Sequence, residues 1–241
     1  MKCGIVGLPN VGKSTLFNCL SNAKALSANY PFATIEPNIG VIPVPESRLE
    51  KLSDLINPKN VQPAIVEIVD IAGLVKGASK GEGLGNKFLA NIRETHAIIH
   101  VLRCFDDPNV THVDGMINPL NDKETVELEL QIKDLETLEK KKNNLKRLAA
   151  SGDKAAIKNL DIIQQYCEHI SSGKSARSLS VVNDDFILEL NLLTKKPVLY
   201  VCNVDESSLL CNNYTEMIKD NIIEEKAEML IISAQIEADI N

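Results

Sequence analysis

The chain has 241 residues, 44% of them hydrophobic and 24% charged, a composition that folds and leaves room for one α/β domain plus an insertion. Its formal net charge of −7 excludes a protein that coats nucleic acid with its whole surface, though not one with a local basic patch. Six cysteines without a CxxC pair offer no zinc framework, and with aromatics at 4% and no Trp the core must be built from Ile, Leu, Val and Ala.

The first apolar run, residues 3–7, leads into Gly7-Leu8-Pro9-Asn10-Val11-Gly12-Lys13-Ser14, followed by Leu16, Phe17 and Leu20 at helical spacing. A strand, then GxxxxGK[ST], then a helix is the context of a phosphate-binding loop. Its glycines let successive backbone N–H groups turn towards a phosphate, and the helix N-terminus adds partial positive charge. Asn10, Val11, Gly12, Lys13, Ser14 and Thr15 are therefore the expected polyphosphate contacts. Lys13 reaches the β- and γ-phosphates as a catalytic charge, and the Ser14 hydroxyl is a Mg²⁺ ligand. Asn10 reads two ways, as a carbonyl donor to a K⁺ ion beside the phosphates or as a residue chosen for turn geometry. Further on, Thr34 is the only threonine between this helix and the second strand. Nucleotide switches of this type use a threonine there to close on Mg²⁺.

Residues 40–44 and 64–70 read as the next strands. No crossover helix is evident between them, so an antiparallel edge strand is expected, and Pro43 suits an edge. The second run ends in Asp70-Ile71-Ala72-Gly73. An acid at the carboxyl end of a buried strand faces the crevice of an open α/β sheet, where Asp70 can hold Mg²⁺ through water and the Gly73 N–H can meet a γ-phosphate. Leu74 then occupies the place of the water-orienting Gln of Ras-type enzymes, and a leucine cannot hydrogen-bond water. Gly77, Gly81, Gly83 and Gly85, interleaved with Lys76, Lys80 and Lys87, read as a nucleotide-dependent switch or as an ordinary flexible loop. After the strand at 97–102, the loop 106–118 holds His112, the candidate within the chain for placing the attacking water, against the plainer reading of a surface histidine. His96 and His100 read as structural, and His169 belongs to the helical insertion.

Between the strands at 97–102 and 198–202 the spacing far exceeds a simple crossover. Leu128, Ile132, Leu135, Leu138, Leu145 and Leu148 mark one helix from about residue 124 to 148. Ile157, Leu160, Ile163, Cys167 and Ile170 mark a second. Gly152 and Asp153 supply a C-terminal stop and an N-cap, so the pair reads as an antiparallel hairpin within an inserted domain, 121–182, flanked by a nucleotide domain of 1–120 and 183–241. The run Glu139-Lys140-Lys141-Lys142 reads as a solvated face. The fifth strand ends in Asn203-Val204-Asp205-Glu206, where GTPases carry NKxD, and the sixth, 229–233, ends in Ser233-Ala234-Gln235 beside the base. The NKxD aspartate accepts from guanine's N1–H and 2-amino group. Adenine has neither, so Val204 and Glu206 remove guanine's advantage, while Asn203 retains contacts with adenine.

These runs, most of them continuously apolar, predict an α/β P-loop fold of the G-domain type: a mostly parallel sheet with helices on both faces and an inserted antiparallel helical hairpin. The segments 7–15, 31–38, 70–78, 81–93 and 203–206, and the insertion itself, make the chain resemble the YchF family of Obg-related P-loop ATPases along essentially its whole length. The resemblance implies Mg²⁺-dependent hydrolysis with ATP preferred over GTP, a hydrophobic residue (Leu74) in place of the catalytic Gln, and a ribosomal partner. An Obg-type GTPase and a nucleotide-binding scaffold without turnover stand as alternatives. Family members continue into a TGS domain, so a chain ending at Asn241 reads as a natural truncation or a designed fragment. No apolar run nears the ~20 residues that span a bilayer, so no membrane partner is expected; the net charge of −7 speaks against DNA, and cysteines placed in apolar runs suit a reducing cytoplasmic setting.

Overall fold

The computed structural model describes residues 1–22, 38–71, 84–107, 116–182, 185–225 and 227–240. Six strands form one sheet: β1 (Lys2–Val6), β2 (Ile39–Pro43), β3 (Ile65–Asp70), β4 (Ala97–Arg103), β5 (Val198–Asn203) and β6 (Glu228–Ile232). Their order is β2-β3-β1-β4-β5-β6. β2 runs antiparallel to β3, and every other pairing is parallel. β3 and β4 flank β1, and the chain passes from β3 across β1 to β4. The carboxyl end of β1 is therefore the switch point at which open α/β sheets bind ligands.

The described α-helices are α1 (Lys13–Asn22), α2 (Ser47–Ile56), α3 (Leu84–Arg93), α4 (Pro119–Ala150), α5 (Lys154–Ser171), α6 (Asp185–Glu189), α7 (Asn213–Ile222) and α8 (Ala234–Ile240). α2 corrects the expectation that no helix separates β2 from β3. It is held by local chemistry, with Glu46 as N-cap and Asn57 as a left-handed C-cap, and Leu49, Leu52 and Ile56 stand at helical spacing although the helix buries none of its residues.

The main core lies between the sheet and its helices, with Ile5, Val6, Ile68, Ile98, Val101, Tyr200 and Cys202 from the strands and Phe88, Leu89 and Ile92 from α3. α4 belongs to two clusters. Val126 and Leu130 join the sheet core, while Leu138 and Leu145 join a second cluster with Ala156, Ile163, Tyr166 and Ile170 of α5. The helix also begins earlier than its apolar spacing announced: Asn118 caps it and Pro119 occupies its first turn, where a missing N–H costs nothing. Gly152, at φ 89°, turns the chain, and Asp153 caps α5 by accepting from the N–H groups of Ala155 and Ala156 at 2.8 and 3.2 Å. Three residues expected in the hairpin core, Leu128, Leu148 and Ile157, are instead about half exposed at 54, 51 and 53%. Among the described residues no helix is long and apolar enough to cross a membrane.

Candidate nucleotide site

The loop from Gly7 to α1 leaves the carboxyl end of β1, and its course depends on two glycines. At Gly7 a Cβ would lie 2.7 Å from the Val101 carbonyl oxygen of β4. At Gly12, with φ 93°, a Cβ would lie 2.2 Å from Asn203 Nδ2. Asn10 takes a left-handed φ of 62°, which asparagine tolerates better than most residues, so its turn role has direct support. Lys13 opens α1, and its ammonium pairs with the Asp70 carboxylate at the end of the neighbouring β3. The two charges that the sequence assigned to one polyphosphate site are thus brought together from positions 57 residues apart. Ser14 and Thr15 stand in the first turn of α1, and Ser14 is exposed there.

Asn203 organises the other wall. Its Nδ2 donates to the Val11 carbonyl at 3.0 Å, and its Oδ1 accepts from the Ala234 N–H at 2.9 Å. One buried side chain therefore ties the phosphate loop to the end of β6, and both its carbonyl and amide are satisfied. Val204 is buried, and its N–H donates to the Ile232 carbonyl at 2.8 Å. Asp205 turns back on its own chain, accepting from the Ser207 N–H at 2.9 Å and the Ser207 hydroxyl at 2.5 Å. These bonds hold its carboxyl below the usual carboxylate range. Glu206 is left as the exposed carboxylate of the turn.

A cavity of about 460 Å³ lies between these walls, lined by Asn10, Gly12, Thr15, Asn203, Glu206 and Ala234, with Ser233 and Gln235 behind them. Its remaining side went unread in the sequence: Phe105, Asp106 and Asp107, just beyond β4. Arg103 fixes this segment. It is buried, its guanidinium lies 4.8 Å from the Phe105 ring centre, and it donates to the carbonyls of Phe105 at 3.3 Å and Asp107 at 3.2 Å. Asp106 in turn accepts from the Tyr214 hydroxyl at 3.1 Å. The available signal was the position of Phe105, a lone aromatic at the carboxyl end of a central strand. Thr34, Gly73, Leu74, His112 and the glycine–lysine run up to Gly83 fall outside the described residues, while Gly85 and Lys87, expected in a loop, belong to α3.

Sheet order, a glycine-bounded loop at the switch point and a lysine opening its helix define a P-loop nucleoside-triphosphatase fold of the GTPase type. The family model described as 50S ribosome-binding GTPase matches residues 2–150. The chain is 48% identical to the ribosome-binding ATPase YchF of Bacillus subtilis, covering 100% of this chain and 67% of that protein. It is 46% identical to the ribosome-binding ATPase YchF of Escherichia coli O157:H7, covering 99% and 66%. The solved structure titled as the Schizosaccharomyces pombe YchF GTPase superimposes with a TM-score of 0.84 at 37% identity, covering 100% of this chain and 67% of that one. The chain belongs to the YchF family of ribosome-binding nucleoside triphosphatases, and it spans about two thirds of the length of these relatives.

Proposed function

We propose that this chain binds ATP in preference to GTP in the cavity between the phosphate loop and the Asn203 turn, hydrolyses it with Mg²⁺, and couples its nucleotide state to association with the ribosome in the cytoplasm. The observation that carries the nucleotide choice is the conformation of residues 203–206. Asn203 is fixed between Val11 and Ala234, Val204 is buried where GTPases present a lysine, and Asp205 is occupied by Ser207. Glu206 is the exposed carboxylate that this turn presents at the cavity, across from Asp106 and Asp107, and it is one methylene longer than the aspartate that reads guanine. The relatives' names divide between ATPase and GTPase, so direct titration decides. ATP is expected to bind at least tenfold more tightly than GTP, about 1.4 kcal/mol. The double substitution Val204→Lys with Glu206→Asp should move the preference towards GTP. Equal or tighter GTP binding by the unsubstituted chain would overturn the reading.

The oxygen donors Ser14 and Asp70 suit a hard cation, and the Asp70 carboxylate already lies against the phosphate-loop lysine. Ser14, Thr34 and Asp70 would hold Mg²⁺, which supplies charge neutralisation at the phosphates. Lys13 adds a fixed positive charge, and the N–H groups of residues 10–15 and Gly73 orient the polyphosphate. Asn10 would offer its carbonyl oxygen to K⁺, and hydrolysis indifferent to exchange of K⁺ for Na⁺ would remove that role. With Leu74 unable to hold water, unstimulated turnover is expected to be as slow as that of Ras-type enzymes without their activators. His112 is the proposed source of water positioning within the chain. His112→Ala should lower single-turnover hydrolysis while leaving ATP affinity unchanged. In this reading residues 1–120 and 183–241 form the nucleotide unit, and the insertion 121–182 carries the response outward.

A further inference from the structure

A second cavity, of about 420 Å³, opens between the first turns of α4, the residues that follow α5 and the end of α7. Its inner wall is a charge network whose members satisfy one another. Glu127 accepts from Arg177 at 2.9 Å and from the Ser175 hydroxyl at 2.6 Å, and Glu225 accepts from Arg177 at 3.0 Å and from Lys123 at 2.5 Å. What remains open towards the cavity is mostly acceptor. Gln131 lines it and is only 6% exposed. Its amide nitrogen donates to the Gly173 carbonyl at 3.2 Å, which fixes the amide plane and leaves the carbonyl oxygen without a partner among the described residues. At the rim Glu124 has no ion pair among the described residues, and Glu224 has only Lys174, at 3.9 Å with both side chains more than half exposed. Leu128 stands four residues after Glu124 and three before Gln131, on the same face of α4, and adds an apolar patch to the same lining. A leucine with core spacing thus stays half exposed because it faces this cavity.

We infer that this cavity is a binding site for an aliphatic ammonium cation, of the class of the linear polyamines. An ammonium group brings three donors and no acceptor, which is what the Gln131 oxygen and the two rim carboxylates lack. Charge-assisted bonds to Glu124 and Glu224 favour it over a neutral alcohol or amide. Among the described residues no group of three or more His, Cys, Asp and Glu could hold a metal ion, so the carboxylates are too dispersed for one compact ion. They suit charges spread along a chain, and Leu128 between Glu124 and Gln131 meets the methylenes of that chain. A lysine side chain of a partner protein carries the same chemistry. α4 and residues 173–178 form one wall and residues 221–225 the other, so a bound ligand ties the helical insertion to the end of α7.

The test is isothermal titration calorimetry of spermidine into the 241-residue chain without nucleotide, at about 150 mM salt so that diffuse attraction to the acidic surface is screened. The unsubstituted chain should bind saturably at one site. Glu124→Gln with Glu224→Gln should bind about tenfold or more weakly, having lost two charge-assisted partners. Both residues are exposed, and an unchanged thermal midpoint confirms that the fold of this variant is intact. Glu50→Gln with Asp54→Asn removes the same charge from α2 and should bind as the parent does. Hydrogen exchange should show that spermidine protects residues 124–131, 173–178 and 221–225. Absence of saturable binding overturns the inference. Equal weakening in the two double variants overturns it too, because it reduces the binding to the pull of a chain of net charge −7. So does displacement of spermidine by equimolar Mg²⁺, which makes the cavity a metal site. Titration with N-acetyl-lysine methylamide separates the two sources of the ammonium. Tighter binding of spermidine upholds a free polyamine as the ligand, and tighter binding of the lysine derivative replaces it with a partner's side chain in the same site.

Discussion

Gly12 has a left-handed φ of 93°, and the space where a side chain would begin is filled by Asn203. Gly12→Ala therefore combines backbone strain with collision against an amide anchored at both ends. A loss of about 2 kcal/mol or more is expected in denaturant unfolding, together with loss of ATP binding in titration calorimetry. Asn203→Ala leaves the Val11 carbonyl and the Ala234 N–H buried without their partner, at a cost of about 1–3 kcal/mol in the same unfolding assay. It should also weaken ATP binding, because phosphate loop and base wall lose their tie. His100 carries a pH dependence of the fold. Burial in β4 lowers it from 6.5 to about 4, with Lys123 and Arg177 acting in the same direction and Glu127 opposing. The unfolded chain takes up this proton below about pH 6.5 and the folded chain does not until about pH 4. Its contribution is therefore complete above 6.5 and falls by about 3 kcal/mol as pH drops towards 4. Urea unfolding at pH 7 and pH 4.5 should show His100→Gln losing less stability on acidification than the parent.

At the scale of elements, the hairpin is fastened to the sheet by buried polar groups rather than by apolar packing alone. Asp134 of α4 is fully buried and accepts from the N–H groups of Leu193 and Thr194 at 2.7 and 2.8 Å and from the Thr194 hydroxyl at 2.7 Å. Burial raises its pKa against the pull of those three donors. Glu127 of α4 and Glu225 beyond α7 share Arg177, at 2.9 and 3.0 Å, and Glu225 also accepts from Lys123 at 2.5 Å and from the Tyr200 hydroxyl of β5 at 2.9 Å. Lys196, just before β5, donates to the Arg93 carbonyl at 3.1 Å at the end of α3, while Arg93 itself donates to Thr137 of α4 at 3.1 Å. α3 begins within the glycine–lysine segment, and its carboxyl end is thus tied directly to α4. Asp134→Ala strands two backbone N–H groups and a hydroxyl in the interior, and should lower stability by about 3 kcal/mol and reduce the unfolding midpoint. None of these ties was legible in the sequence, because Asp134, Glu127 and Lys196 look there like ordinary charges on amphipathic helices and turns. The misplacement of Leu128, Leu148 and Ile157 has the same origin. Helical spacing shows which residues share a face, but not where along a long helix the partner begins and ends.

For the molecule as a whole, nucleotide binding should appear as stability. ATP with Mg²⁺ at about 100 times its dissociation constant should raise the unfolding free energy by about 2.7 kcal/mol, read as a shift in thermal midpoint. Lys13→Ala should abolish that shift, since it leaves Asp70 facing the phosphates without its counter-charge. The sequence by itself determined the glycine-bounded loop that opens α1, the acid at the end of β3, the Asn203 turn after β5 and the mostly parallel sheet. Each rests on local rules: glycine's backbone freedom, the apolar runs of strands buried on both faces, and the residue types that phosphate and metal chemistry require. The tertiary structure alone decided the rest. It closed Lys13 onto Asp70, set Asn203 between Val11 and Ala234, and brought Phe105, on a segment held by Arg103, to the wall of the same cavity. The Lys13–Asp70, Asn203–Val11 and Asn203–Ala234 contacts join residues 57, 192 and 31 positions apart, and burial and pairing at that distance follow from how the elements pack, which no local spacing encodes.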